Sequence, residues 1–105
     1  MKDYYVYILA SHKNGPLYTG MTSDLVQRIW QHKSGLTPGF TSRYKVNQLV
    51  YFEQHGYVME ALKREKNIQA WKRVWKLKLI EENNPHWKDL YQEIIYMPGC
   101  QPSLA

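Results

Sequence analysis

Tyr4-Tyr5-Val6-Tyr7-Ile8-Leu9-Ala10, the turn residues Ser11-His12-Lys13-Asn14-Gly15-Pro16, and then Leu17-Tyr18-Thr19-Gly20-Met21 form the stretch that decides how this chain folds. The first run is rich in Tyr, Val and Ile, side chains that fit a pleated and packed surface, and it predicts a strand. The Asn-Gly-Pro segment is turn chemistry, so residues 17–21 return as a second strand and the pair forms a β-hairpin. If Ala10 pairs with Leu17, Tyr7 stands opposite Gly20 and Leu9 opposite Tyr18. Tyr7 and Tyr18 then share one face as diagonal neighbours, beside a glycine that leaves that face open. A slip of one residue would separate them. Two strand tyrosines with wet hydroxyls are the ordinary reading of such a pair; two hydroxyls facing a ligand are the other.

Outward from the hairpin, Thr22 or Ser23 can cap a helix and Asp24 suits its first turn. Leu25, Val26, Ile29 and Trp30 give that helix its apolar face, and Gly35 ends it. Arg28 and His32 lie four apart on the margin of this face, where they form either a phosphate clamp or a snorkelling arginine beside a surface histidine. Residues 35–48, with Pro38 and Gly39, read as a basic surface loop. Leu49-Val50-Tyr51-Phe52 is a third short strand. A long helical stretch runs from Tyr57 to about Glu82, bent or broken near Trp71–Arg73, and Asn84-Pro85 ends it. Trp87 to Ile95 forms a last helix. The predicted order is β-β-α-β-α-α: an α+β domain over residues 1–96, a three-stranded, mainly antiparallel sheet flanked by helices, with a tail over 97–105.

In the long helix Val58, Ala61, Leu62 and Ile68 form a stripe, and the position that should continue it is Glu65. A carboxylate on an apolar stripe is either paired with a cation, Arg28 or a nearby lysine, or bound to a metal. One carboxylate is enough for a hard, water-rich Mg²⁺ site.

Length and composition set the outer bounds. With 105 residues, 44% hydrophobic and 22% charged, the chain has the size of one domain and ordinary globular composition. Its longest apolar run is seven residues, which predicts neither a membrane span nor a secretion signal. The single cysteine, Cys100, excludes a disulfide framework and a cysteine-cluster zinc site, and a reducing cytoplasm is the expected compartment. The net charge is +5, and the segment from Lys63 to Lys78 holds seven basic residues against one acid, Glu65. Such a stripe is either a solvated helix face or a surface for a polyanion, of which nucleic acid is the commonest.

The ordered set Tyr5-Val6-Tyr7, Tyr18-Thr19-Gly20, Arg28, His32 and Glu65 resembles the GIY-YIG nuclease superfamily. The run from Tyr18 to Leu25, with Gly35, Leu49-Val50-Tyr51-Phe52-Glu53, Ala61-Leu62-Lys63-Arg64-Glu65 and Asn84-Pro85, is most similar to its small stand-alone bacterial members of the YhbQ/YazA type. The resemblance covers residues 4 to about 91. It implies a metal-dependent endonuclease that hydrolyses phosphodiester bonds in DNA, structured or branched DNA of repair or recombination included. By the same resemblance Glu65 would hold one divalent ion, Mg²⁺ or Mn²⁺. Arg28 would stabilise transition-state charge, and Tyr7 or Tyr18 would orient or deprotonate the water with His32 in support. Positive charge nearby would have to lower the tyrosine's pKa for that task. Some members carry a lysine directly after the second motif. Here Met21 stands there, which leaves the helper's place to His32 or a loop lysine. Arg43, Lys45, Lys63, Lys72, Arg73 and Lys76 would hold flanking phosphates. The rival expectation is a binding module that keeps the fold and cuts little or nothing.

Overall fold

A computed structural model describes residues 3–36 and 39–96; the expected tail over 97–105, with Cys100, lies outside the described residues. β1 (Tyr4–Ala10), β2 (Leu17–Thr22) and β3 (Gln48–His55) form an antiparallel sheet in the order β2-β1-β3. The hairpin register is the expected one: Ala10 pairs with Leu17, Leu9 with Tyr18 and Tyr7 with Gly20. On the other side of β1, Ile8 faces Tyr51 and Leu9 faces Leu49, so Val50 is an extra residue that bulges β3. β3 runs further than the expected four residues. Its polar end is held by the Glu53 carboxylate, which accepts from Tyr51 Oη, Arg64 Nε and the His55 ring.

Being central, β1 is buried from Tyr5 to Ala10 and feeds two cores through its period-two alternation. Tyr5, Tyr7 and Leu9 pack with Leu25, Val26 and Ile29 of α1 (Leu25–Lys33) and with Ile94. Val6, Ile8 and Ala10 pack on the opposite face with Ala61 and Ile68 of α3 (Val58–Ala70) and Ile80 of α4 (Arg73–Asn83). Val58, expected on the α3 stripe, is 39% exposed, and Ala61 and Ile68 carry the burial. The α3/α4 break falls where expected, with Trp71 and Lys72 both extended at ψ 149°.

α1 is capped by Asp24, whose carboxylate accepts the Gln27 N–H, while Thr22 Oγ1 accepts the Asp24 N–H. Gly35 beyond its end has φ +72°, a left-handed conformation that suits glycine at a helix terminus. Trp30, expected on the apolar face, is half exposed, and His32 takes the buried place instead. Seven residues after Leu25, His32 falls almost directly above it, inside the core stripe rather than on its margin.

Two helices differ from expectation. A four-residue helix, α2 (Phe40–Arg43), interrupts the loop over 35–48 and buries Thr41. The last helix, expected from Trp87, is only α5 (Tyr91–Ile94). Side chains occupy the backbone groups that would have begun it earlier. Asn84 donates to the Val50 and Lys88 carbonyls and accepts the Lys88 N–H. Asp89 accepts the N–H groups of Leu49 and Tyr91 and pairs with Lys33. Among the described residues no helix is long and apolar enough to cross a membrane.

Candidate active site

The hairpin register puts Tyr7 and Tyr18 on the α1 side of the sheet, on either side of Gly20. A Cβ at position 20 would lie 2.5 Å from the Tyr7 Cζ and Oη atoms and 3.1 Å from Tyr18 Cε1. Gly20 is therefore the floor on which the two rings converge, and any side chain there must push them apart. Gly20→Ala is expected to cost about 1–3 kcal/mol through overpacking, read by denaturant unfolding, and to take activity with it. A variant as stable and as active as the parent would mean that the rings relax freely.

His32 completes the cluster from α1. Its ring lies 5.9 Å from that of Tyr7 and 5.5 Å from that of Tyr18, centroid to centroid. The Tyr7 hydroxyl and His32 Nε2 are 3.1 Å apart, and His32 Nδ1 is 3.2 Å from Thr41 Oγ1 of α2. Tyr7 and Thr41 hydroxyls can each donate or accept, so the chain Tyr7–His32–Thr41 is satisfied with the neutral ring in either tautomer. Burial, and after it the neighbouring Arg28 charge, holds the His32 pKa below its ordinary 6.5. The unfolded chain therefore binds a proton near pH 6.5 that the folded chain refuses. His32 contributes stability above that pH, and the contribution is lost as pH falls through it. His55 has the opposite sign. Burial pulls its pKa down, but hydrogen bonds to Glu60 and Glu53 outweigh that and raise it. Urea unfolding across pH 5–7.5 should thus show a shallower acid-side loss in His32→Gln than in the parent, His55 being common to both. Equal slopes would place the His32 proton equilibrium elsewhere.

Burial, then the neighbouring Tyr18, pushes the Tyr7 pKa up, and Arg28 opposes this both as a charge and as a hydrogen-bond donor. The sum is upward, so the expectation that surrounding positive charge lowers the tyrosine is reversed at Tyr7. Tyr7 is fully buried, whereas Tyr18 and Arg28 are partly exposed. Met21 packs with the opposite core, so its position points away from the tyrosines.

Glu65 comes from α3, which packs on the opposite face of the sheet from α1. Gln69, one turn later on the same helix face, donates to the Thr19 carbonyl at 3.2 Å and ties that face of α3 to β2. The Tyr7 hydroxyl feels the Glu65 charge. Half-buried Glu65 makes no hydrogen bond or ion pair among the described residues, whereas Glu53, Glu60, Glu93 and Asp89 all sit in ion pairs. A carboxylate with that freedom fits a hard divalent cation that keeps most of its waters. Among the described residues no group of three His, Cys, Asp or Glu side chains is placed to hold a metal, so a zinc-type cage does not fit.

The basic residues divide. Arg43 at the end of α2 and Lys45 just beyond it are exposed, and the Lys63 and Lys72 side chains are exposed without hydrogen-bond partners among the described residues. Arg73 donates to the Asn14 and Gly15 carbonyls and Lys76 to the Gln69 carbonyl. Arg64 is paired with Glu53 and lies over the Trp71 ring. The stretch from Lys63 to Lys78 is thus two segments with part of its charge committed internally, not one continuous stripe. Thr41 is the site residue that sequence reasoning missed, hidden in a segment whose Pro and Gly read as loop.

Residues 3–78 match the GIY-YIG catalytic domain family. A UPF0213 protein of Staphylococcus saprophyticus is 43% identical over 82 residues, which is 78% of this chain and 99% of that protein. One from Staphylococcus epidermidis is 38% identical over the same length and coverage. The solution NMR structure of a UPF0213 protein from Bacillus halodurans superposes with a TM-score of 0.53 at 30% identity, covering 83% of this chain and 92% of that one.

Proposed function

This chain belongs to the GIY-YIG catalytic domain family, a nuclease superfamily, and on that premise we propose that it is a metal-dependent endonuclease hydrolysing phosphodiester bonds in DNA. The observation that carries the reading is the clustering of the Tyr7, Tyr18 and His32 rings, with Gly20 beneath the two tyrosines and the charges of Arg28 and Glu65 both acting on the Tyr7 hydroxyl.

Hydrolysis of a phosphodiester needs a positioned water, a proton acceptor, and neutralisation of charge on the phosphate and the leaving oxygen. Glu65 would hold the cation, Mg²⁺ or Mn²⁺, which when bound supplies charge at the scissile phosphate and the leaving 3′ oxygen. Arg28, a rigid fork of donors, would bind the phosphate oxygens as negative charge grows there. Tyr18 has the hydroxyl able to meet solvent, so it would orient the water and take its proton. Tyr7 lies behind it. Its bond to His32 gives the network a neutral imidazole able to receive a proton and a Thr41 hydroxyl able to reset the tautomer. Arg43, Lys45, Lys63 and Lys72 would hold flanking phosphates without reading sequence. The deciding experiment is a Mg²⁺- and Mn²⁺-dependent cleavage assay over linear, flap, branched and single-stranded DNA, with Glu65→Gln alongside. Cleavage by the parent alone supports the enzyme. Binding without cleavage on every substrate would leave a nucleic-acid-binding module of the same fold.

A further inference from the structure

The first residue of α2 and the residue that follows its last are large aromatics, each left about half exposed. Phe40 and Tyr44 are 46% and 49% exposed. Their rings face each other at 5.0 Å between centroids, tilted by 48°. The Arg43 guanidinium lies 5.6 Å from the Tyr44 ring. Together with Gly39 and Ser42 they line a shallow hollow that is open to solvent. Gly39 enters it at φ +105°, left-handed backbone that lets the chain turn into α2 without a side chain in the way.

The platform is fixed to the chemistry. Thr41, between the two rings in sequence, is buried and touches His32, which touches Tyr7. Its carbonyl accepts the N–H of buried Val46, which clamps the far end of the segment. Phe40 and Tyr44 are thus tied through Thr41 and His32 to the tyrosine cluster.

We propose that Phe40 and Tyr44, with Arg43, form a stacking site for an unpaired nucleobase next to the scissile phosphate, so that the preferred substrate has a single-stranded segment there. This rests on the endonuclease reading and adds a substrate class to it. The occupant follows from the chemistry. Aromatic faces flanked by a guanidinium suit a flat π-system that is joined to a phosphate. In duplex DNA the faces of the bases are used in their own stack, so only an unstacked base can use the platform, whereas the phosphate charge is common to both forms.

The test is fluorescence anisotropy on the full chain in EDTA, so that nothing is cut, with a labelled oligothymidine and a duplex of equal length at one salt concentration. Phe40→Ala and Tyr44→Ala should each weaken single-strand binding by about 5- to 100-fold and leave duplex binding within about twofold. Tyr44→Phe, which keeps the ring, should bind as the parent does. An abasic oligonucleotide should bind the parent as weakly as the thymidine strand binds the alanine variants. Both variants alter half-exposed side chains, and thermal unfolding checks that they fold. If either fails to fold, the abasic strand tests the same contact on the parent. Equal losses on single strand and duplex, an abasic strand bound as tightly as oligothymidine, or variants that change only self-association would overturn the stacking site and leave the nuclease reading intact. Absence of binding to any nucleic acid would overturn both.

Discussion

Glu65→Gln is expected to abolish metal-dependent cleavage while leaving the fold, and DNA affinity without metal, unchanged or slightly improved. Gln keeps the shape and a polar head and removes the charge proposed to hold the divalent ion. The cation's contribution to phosphoryl chemistry is several kcal/mol, so the loss should be on the order of 10³-fold or more. Because Glu65 has no ion pair or hydrogen bond among the described residues, removing its charge strands no partner. Stability should stay within about 0.5 kcal/mol of the parent, as for a surface substitution. A negative charge beside phosphates is also gone, which is why affinity in EDTA should not fall. Cleavage rates, urea midpoints and EDTA affinities of parent and variant measure the three parts separately. Cleavage by the variant at the parent's rate would remove Glu65 from the reaction. A large loss of stability would make it a structural residue instead.

The sheet and most of this cluster could be read from residues alone, for reasons visible in particular side chains. Tyr4–Ala10 is an unbroken run of strand-forming residues, and a central strand buried on both faces has that composition. The hairpin turn then set the register, and the register brought Tyr7 to Gly20 and Tyr18 beside it. Glu65 was conspicuous because a carboxylate interrupts an apolar period. Features that depend on partners distant in sequence were not legible. His32 is buried because Thr41 and Tyr7 receive both ring nitrogens, and neither bond has a local signature. Arg73 and Lys76 read as free charges until the fold brings backbone carbonyls to them. The late start of α5 has the same origin, since Asn84 and Asp89 take its backbone groups only when β3 lies alongside.

Tyr18→Phe should reduce cleavage by about 10²–10⁴-fold, the range for loss of a general base, and Tyr7→Phe by distinctly less. Each change keeps the ring and so keeps the packing; each removes one hydroxyl. The two hydroxyls are placed differently. Tyr7 is fully buried, its hydroxyl 3.1 Å from His32 Nε2, and burial pushes its pKa up, so a free phenolate there is disfavoured. Tyr18 is partly exposed, so its hydroxyl is the one of the two that solvent can reach. Deleting the Tyr18 hydroxyl would remove the group proposed to touch the water. Deleting the Tyr7 hydroxyl leaves that contact and cuts the link to His32, which also leaves a buried imidazole nitrogen short of a partner, at about 1–3 kcal/mol of stability. The paired readouts are therefore opposite in emphasis: activity falls most in Tyr18→Phe and stability falls most in Tyr7→Phe. Single-turnover cleavage rates and urea midpoints for both variants separate the two. If Tyr7→Phe loses more activity than Tyr18→Phe at equal stability, the water is held by the buried tyrosine, and the proton passes through it to His32.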